Sequence, residues 1–186
     1  MLNYNSPIND TKEYNNLKIS ETEPTFKINL RSKKREFILN IGKVLSITPP
    51  VEANTSSQNK DLNLLWLSPD EWMLYSNEII KSNDHDKLES ELINSISKLN
   101  YGSVTNVTDN WVMVNLNGDN VYELLASSCP FNFESFKSNK KSVVQTIVNH
   151  MDVIIHNKNN NDLNLFVRRS FSNHLWSWMN DSARFL

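Results

Sequence analysis

Apolar positions along the chain change period several times, and each change marks an element. Phe26, Ile28 and Leu30 alternate with Thr25, Lys27 and Asn29, which predicts a half-buried strand from Thr25 to Arg31. Ser32 is placed to cap a short helix with Phe37, Ile38, Ile41 and Val44 or Leu45 on one face, ending before Pro49-Pro50. Val51 to Asp61 reads as a polar connection. Two strands then meet at Ser68-Pro69-Asp70: Leu65 and Leu67 flank Trp66, and Trp72 and Leu74 interleave with Met73 and Tyr75. Both of their faces are apolar, as in strands covered on two sides.

Farther on, Leu88, Leu92, Ile96 and Leu99 recur at helical spacing from Asp84, a plausible cap, to Leu99. Val104 to Thr108 and Trp111 to Leu116 predict two strands joined by a tight Asp109-Asn110 turn. Gly118-Asp119 opens a helix with Val121, Leu124, Leu125 and Ser128 on one face, stopped by Pro130. Val143 to Val148, Asp152 to His156 and Asn164 to Val167 read as strands, and a last helix runs from Phe171 to Phe185 behind a Ser170 cap. Helices separate pairs of strands instead of alternating with single ones. That predicts an α+β fold with mainly antiparallel sheet.

Residues 1–23 hold too few core-type side chains to offset ordering entropy, so they are expected to be a flexible polar N-terminal arm, with 24–186 forming a single α+β domain. The formal charge is −2 and the basic residues look scattered, which leaves no electrostatic footprint for nucleic acid. No apolar run suits a membrane span and the first 23 residues lack an apolar signal core, so a cytoplasmic chain is expected. Asparagine occurs 29 times in every kind of predicted element, a bias read as one of genome composition.

Three isolated glycines, Gly42, Gly102 and Gly118, cannot build a phosphate-cradling loop, so neither a P-loop nor a dinucleotide fingerprint is present. The four histidines have no zinc spacing, and the single cysteine, Cys129, reads as a small buried thiol. No catalytic, cofactor-binding or metal residue is therefore assigned. Asp70 and Glu71 form an adjacent carboxylate pair at a turn, where solvation or contact with a partner's basic group suits them better than acid–base work. Arg168 and Arg169 follow a strand, so one is expected in solvent and the other toward the interior, where a carboxylate partner or an anion could meet it. On the last helix Phe171, Leu175, Trp178 and Ser182 form one stripe, and Trp176 lies about 200° from Trp178. Covering both tryptophans calls for a partner subunit at Trp176 or for a loop of the same domain over it, and otherwise Trp176 stays half exposed.

Three segments in order carry a resemblance: Leu67-Ser68-Pro69-Asp70-Glu71-Trp72-Met73; Leu116-Asn117-Gly118 followed by Cys129-Pro130-Phe131-Asn132-Phe133; and Arg169-Ser170-Phe171 leading to Leu175-Trp176-Ser177-Trp178-Met179. In these the chain, from about Phe26 to Met179, resembles the gamma subunit of heterotetrameric sarcosine oxidase. It departs from the family pattern with Ser68 in place of glycine and Asn132 in place of aspartate. Losing that glycine suggests that the turn before Pro69 does not require a positive φ.

The resemblance implies a fold similar to the folate-binding half of glycine-cleavage aminomethyltransferases. It also implies a structural, non-catalytic role beside alpha, beta and delta subunits in a complex that oxidises sarcosine to glycine and passes the one-carbon unit to tetrahydrofolate. FAD, FMN, NAD and zinc would belong to the partner subunits. N-methylglutamate dehydrogenase-type complexes use similar subunits, so the amine substrate stays open. A stand-alone folate-binding, aminomethyltransferase-like protein using Arg168 or Arg169 is the alternative, and a small interaction domain of unrelated function is a third.

Overall fold

The computed structural model describes residues 6–22, 25–77 and 82–186, and for Ser82 and Asn83 the backbone alone. The chain is α+β and divides into two compact units, one made of residues 25–108 and the other of residues from both ends of the chain. This replaces the single domain expected for 24–186. The reason lies in strand pairing, because two antiparallel sheets each recruit their own strands.

In the unit of residues 25–108, β3 (Lys27–Arg31) is followed by α1 (Arg35–Leu45), β4 (Ser56–Gln58), β5 (Leu62–Ser68), β6 (Glu71–Ser76), α2 (Ser82–Leu92), a π-helical turn (Ile93–Ser97) and β7 (Ser103–Asn106). The sheet order is β4-β5-β6-β3-β7, antiparallel throughout. Helix α1 buries Phe37, Ile41 and Leu45 against Ile28, Leu30, Leu64, Trp72 and Leu74, and the Phe37 ring lies 5.5 Å from that of Trp72. The alternate residues Leu65, Leu67, Met73 and Tyr75 are buried as well, so β5 and β6 are covered on both faces, as their sequence predicts.

Three local expectations change here. Ser32 lies outside the helix it was expected to cap: Lys34 is the N-cap residue, while the Ser32 hydroxyl donates to the Tyr101 carbonyl and accepts the Lys34 N–H. The connection from Val51 to Asp61 contains the edge strand β4, held by the Trp66 N–H on the Thr55 carbonyl and by its pairing with β5. The helix expected to reach Leu99 gives way to the π turn after Leu92, with Lys98 N–H on Ile93 O. Leu92 and Ile96 stay buried while Leu99 is turned out to solvent.

A 3₁₀ turn (Thr108–Asn110) begins at the last residue of the unit 25–108 and leads on to β8 (Trp111–Asn117). The second unit holds β1 (Thr11–Tyr14), β2 (Leu17–Glu21), β8, α3 (Val121–Ala126), α4 (Glu134–Ser138), β9 (Val143–Val148), β10 (Met151–Asn159), β11 (Asp162–Arg168), a 3₁₀ turn (Arg169–Phe171) and α5 (Ser172–Ala183). Its sheet order is β1-β2-β8-β11-β10-β9, again antiparallel. Most of the described N-terminal segment is thus a hairpin, contrary to the expected arm: Leu17 and Ile19 join the core and β2 pairs with β8. Residues 1–5 and 23 of that expectation lie outside the described residues. The Asp109-Asn110 turn was expected to close a hairpin, yet β7 pairs with β3 and β8 with β2 and β11. Ser170 falls inside the 3₁₀ turn, and Phe171 precedes α5.

Asparagine has a structural use in a chain this poor in glycine. Among the described residues, five of the eight non-glycine residues with positive φ are Asn9, Asn16, Asn54, Asn100 and Asn149. Asparagine tolerates the left-handed region because its short side chain bonds locally, so it serves turns that glycine would otherwise make.

Candidate functional site

The β5–β6 turn carries the acidic pair singled out by sequence, and the sheet itself holds both carboxylates. Strand register sets Arg31 opposite Glu71. Arg31 Nη2 lies 3.7 Å from Asp70 Oδ2, and its Nε lies 3.9 Å from Glu71 Oε2. Asn29 Nδ2 donates to Glu71 Oε1 at 2.5 Å, and the Ser68 hydroxyl donates to Asp70 Oδ1 at 2.8 Å. That hydroxyl, opposed by a smaller desolvation effect and helped to a lesser degree by the positive charges of Arg31 and Lys33, holds the Asp70 carboxyl below its usual range. A carboxylate so held stays ionised near neutrality and cannot serve as a proton donor there. Ser68 has no positive φ, as expected for the serine there, and the pairing of β5 with β6 shifts register between Trp66 and Ser68.

These causes rank two substitutions. Ser68→Ala is expected to raise the Asp70 pKa more than Arg31→Met does, read by NMR titration of the Asp70 side-chain carboxyl carbon. Arg31→Met should lower stability by less than about 1 kcal/mol, since its two bridges are long and Arg31 is half exposed. A larger response to Arg31→Met than to Ser68→Ala would contradict the ranking.

Beside this turn lies a pocket of about 400 Å³. Trp66 and Trp72, directly opposite each other across β5 and β6, form its apolar wall with Pro69 and with Ile38 of α1. Trp72 is almost wholly buried, and its indole N–H donates to the Pro50 carbonyl at 2.8 Å. Lys33 and Lys34, in the link between β3 and α1, and Arg35, the first residue of α1, are exposed and line it too, with Ser32, Val51 and Ala53. The Lys34 ammonium rests on the Asn100 carbonyl at 2.5 Å, a neutral partner that leaves its charge uncompensated. Sequence reading missed this pocket by treating the basic residues as scattered. The run of three cations before an apolar helix was the available signal.

The other candidates do not converge on it. Arg168 is exposed and stacks over Trp111, its cross-strand partner in the other unit's sheet, 4.2 Å from the ring. Arg169 is half-buried in the 3₁₀ turn, with its Nη1 atom buried. On α5 the buried stripe is Ser172, Leu175, Met179 and Ala183, not the one through Trp178. Trp176 and Trp178 lie about 80° to either side of the line midway between Leu175 and Met179, and both are half-buried against their own unit's core. Cys129 is buried, with Sγ 3.6 Å from the Thr146 hydroxyl. Among the described residues no group of histidine, cysteine, aspartate and glutamate is arranged to hold a metal ion, and no helix is long and apolar enough to cross a membrane.

Comparison with known proteins gives the following. Residues 33–184 match the profile of the "Sarcosine oxidase, gamma subunit family". No curated protein matches the sequence. Among solved structures, a chain of the heterotetrameric sarcosine oxidase from Corynebacterium sp. U-96, in complex with pyrrole 2-carboxylate, superimposes with a TM-score of 0.81 at 19% identity, over 90% of this chain and 84% of that one. The glycine cleavage system aminomethyltransferase T from Bartonella henselae superimposes with a TM-score of 0.64 at 12% identity, over 87% of this chain and 44% of that one. The chain therefore shares its α+β fold with both and spans less than half the length of the second.

Proposed function

Because the chain belongs to the sarcosine oxidase gamma subunit family, we propose that it is a structural subunit of a sarcosine-oxidase-like complex, itself carrying no catalytic residue. In that reading it assembles with alpha, beta and delta subunits that hold FAD, FMN, NAD and zinc, and the complex oxidatively demethylates sarcosine to glycine with one-carbon transfer to tetrahydrofolate. The family match over residues 33–184 carries the reading. The likeness to a chain of a heterotetrameric enzyme over 90% of the sequence supports it. So does the use of Asp70 and Glu71 inside their own sheet, bonded to Ser68, Arg31 and Asn29 instead of facing a cavity as an acid–base pair.

Co-expression with alpha, beta and delta subunits of a sarcosine-oxidase-type complex, followed by size-exclusion chromatography with mass detection, tests this. A single species containing this chain in fixed ratio is expected. A stable monomer that never co-purifies would sink the reading. The likeness to an aminomethyltransferase favours the second reading, a stand-alone folate-binding protein. Calorimetry with tetrahydrofolate separates the two: heat from the isolated chain at millimolar ligand supports the second, and its absence leaves the first.

A further inference from the structure

The pocket beside the β5–β6 turn combines two properties with different consequences for a ligand. Its wall is apolar: Trp66, Trp72, Ile38 and Pro69 present indole and aliphatic surface that is stabilised by excluding water. Three cations and no carboxylate belong to its lining, in a chain whose net charge is −2. Asp70 and Glu71 are engaged by Arg31, while Glu36, in the first turn of α1, and Glu52, between the lining residues Val51 and Ala53, are exposed and do not belong to the lining. Such a surface complements an apolar group flanked by negative charge.

Its polar groups decide between a small molecule and a chain segment. A small-molecule site orients its ligand with a few polar groups fixed inside an apolar cavity. Here the Trp72 N–H is engaged by Pro50, and the Ser32 hydroxyl by Tyr101 and Lys34. The charges lie instead on exposed side chains at the rim. Exposed charge around an apolar anchor pocket is the arrangement of a protein interface, in which the anchor supplies residence time and the rim supplies steering.

We propose that this pocket docks an acidic segment of a partner chain, with one large apolar side chain seated against Trp66 and Trp72 and its flanking carboxylates facing Lys33, Lys34 and Arg35. This names a contact surface for the assembly proposed above and rests on that reading.

Two titrations test it. In the first, the full chain is titrated with the blocked pentapeptide Asp-Glu-Phe-Glu-Asp and followed by the indole N–H signals of Trp66 and Trp72. Saturable shifts are expected. They should weaken at least about tenfold in the Lys33→Glu/Arg35→Glu double variant, on raising salt, and when alanine replaces the peptide's phenylalanine. Trp66→Ala, at a half-buried position, is a second variant that should weaken binding without relying on charge. No shift at millimolar peptide, equal affinity in both variants, or benzoate binding as tightly as the peptide would each overturn the proposal, the last in favour of a small-molecule site.

In the second, wild-type and charge-reversed chains are titrated against the co-expressed partner subunits. Wild-type assembly with at least about tenfold weaker binding of the double variant is expected. Unchanged affinity removes the docking site and leaves the assembly standing. A wild-type chain that joins no partner removes the assembly reading, and the peptide titration then decides the pocket by itself.

Discussion

Gly118→Ala is expected to lower the unfolding free energy by about 3 kcal/mol or more, the largest single-residue effect foreseen in this chain. Gly118 follows β8 at φ +127°, a conformation L side chains rarely adopt. A Cβ there would stand 2.2 Å from the Asn16 carbonyl oxygen and 3.0 Å from Leu17 Cα, both backbone atoms that cannot rotate away. The same corner is tied by hydrogen bonds that relaxation would strain: Asn120 N–H to the Asn16 carbonyl and Asn120 Nδ2 to the Asn15 carbonyl. The damage should therefore appear at the β1–β2 hairpin. Denaturant unfolding gives the magnitude, and hydrogen exchange at the amides of Leu17 to Glu21 gives the place. Gly42→Ala is the control, since its Cβ would meet nothing nearer than 3.5 Å in the middle of α1, where alanine gains up to about 1 kcal/mol. A Gly118→Ala protein within about 1 kcal/mol of the parent would refute the close approach.

The second large effect is on acid stability. His156 lies in β10 with none of its surface exposed, and burial, helped by the positive charge of Lys158, pushes its pKa down to about 3. The unfolded chain has an ordinary imidazole of pKa about 6.5. Between those two values the unfolded state takes up a proton that the folded state refuses. Stability contributed by the neutral imidazole is complete above about 6.5 and is lost as pH falls toward 3, with a limiting slope of about 1.4 kcal/mol per pH unit. His85, lowered by its own burial despite Asp86, Asp84 and Glu89, adds to the loss in the same direction. Unfolding free energies of the parent and of His156→Gln, measured from neutral pH to about 4.5, isolate the contribution, because ordinary carboxylates titrate mostly below that window. The variant should be less stable at neutrality and show a shallower slope. Equal slopes would mean that His156 is not held neutral in the fold.

The parts of this fold that could be read from sequence are those in which pattern and pairing are both local. Leu65 to Tyr75 announces two strands buried on both faces, and the hairpin joins neighbouring strands of one sheet. Asp109-Asn110 has the chemistry of a hairpin turn between two alternating runs, yet those runs enter different sheets. Alternation fixes which residues face the same way; it does not fix the partner strand. The β1–β2 hairpin was hidden for another reason. Only Leu17 and Ile19 of it are buried, and its place in the sheet depends on backbone bonds to β8, far away in sequence. The tryptophans of α5 were misplaced because the stripe was centred on Trp178, whereas Leu175 and Met179 carry it. The basic pocket joins a loop before α1 to side chains of β5 and β6 more than thirty residues later, a meeting no local period encodes.

The strand order has a consequence for the time at which each unit can form during translation. Every strand and helix of the unit 25–108 is synthesised without interruption, and its five-stranded sheet closes as soon as β7 emerges. The other unit begins earlier and finishes later. Strand β2 leaves the ribosome long before β8, its neighbour, and β8 in turn waits for β11, nearly the end of the chain. The nascent hairpin must therefore remain without its sheet while an entire unit is made and folded behind it. Its polar, asparagine-rich composition, which conceals it from pattern reading, is what would keep so long-exposed a segment soluble until its partners arrive.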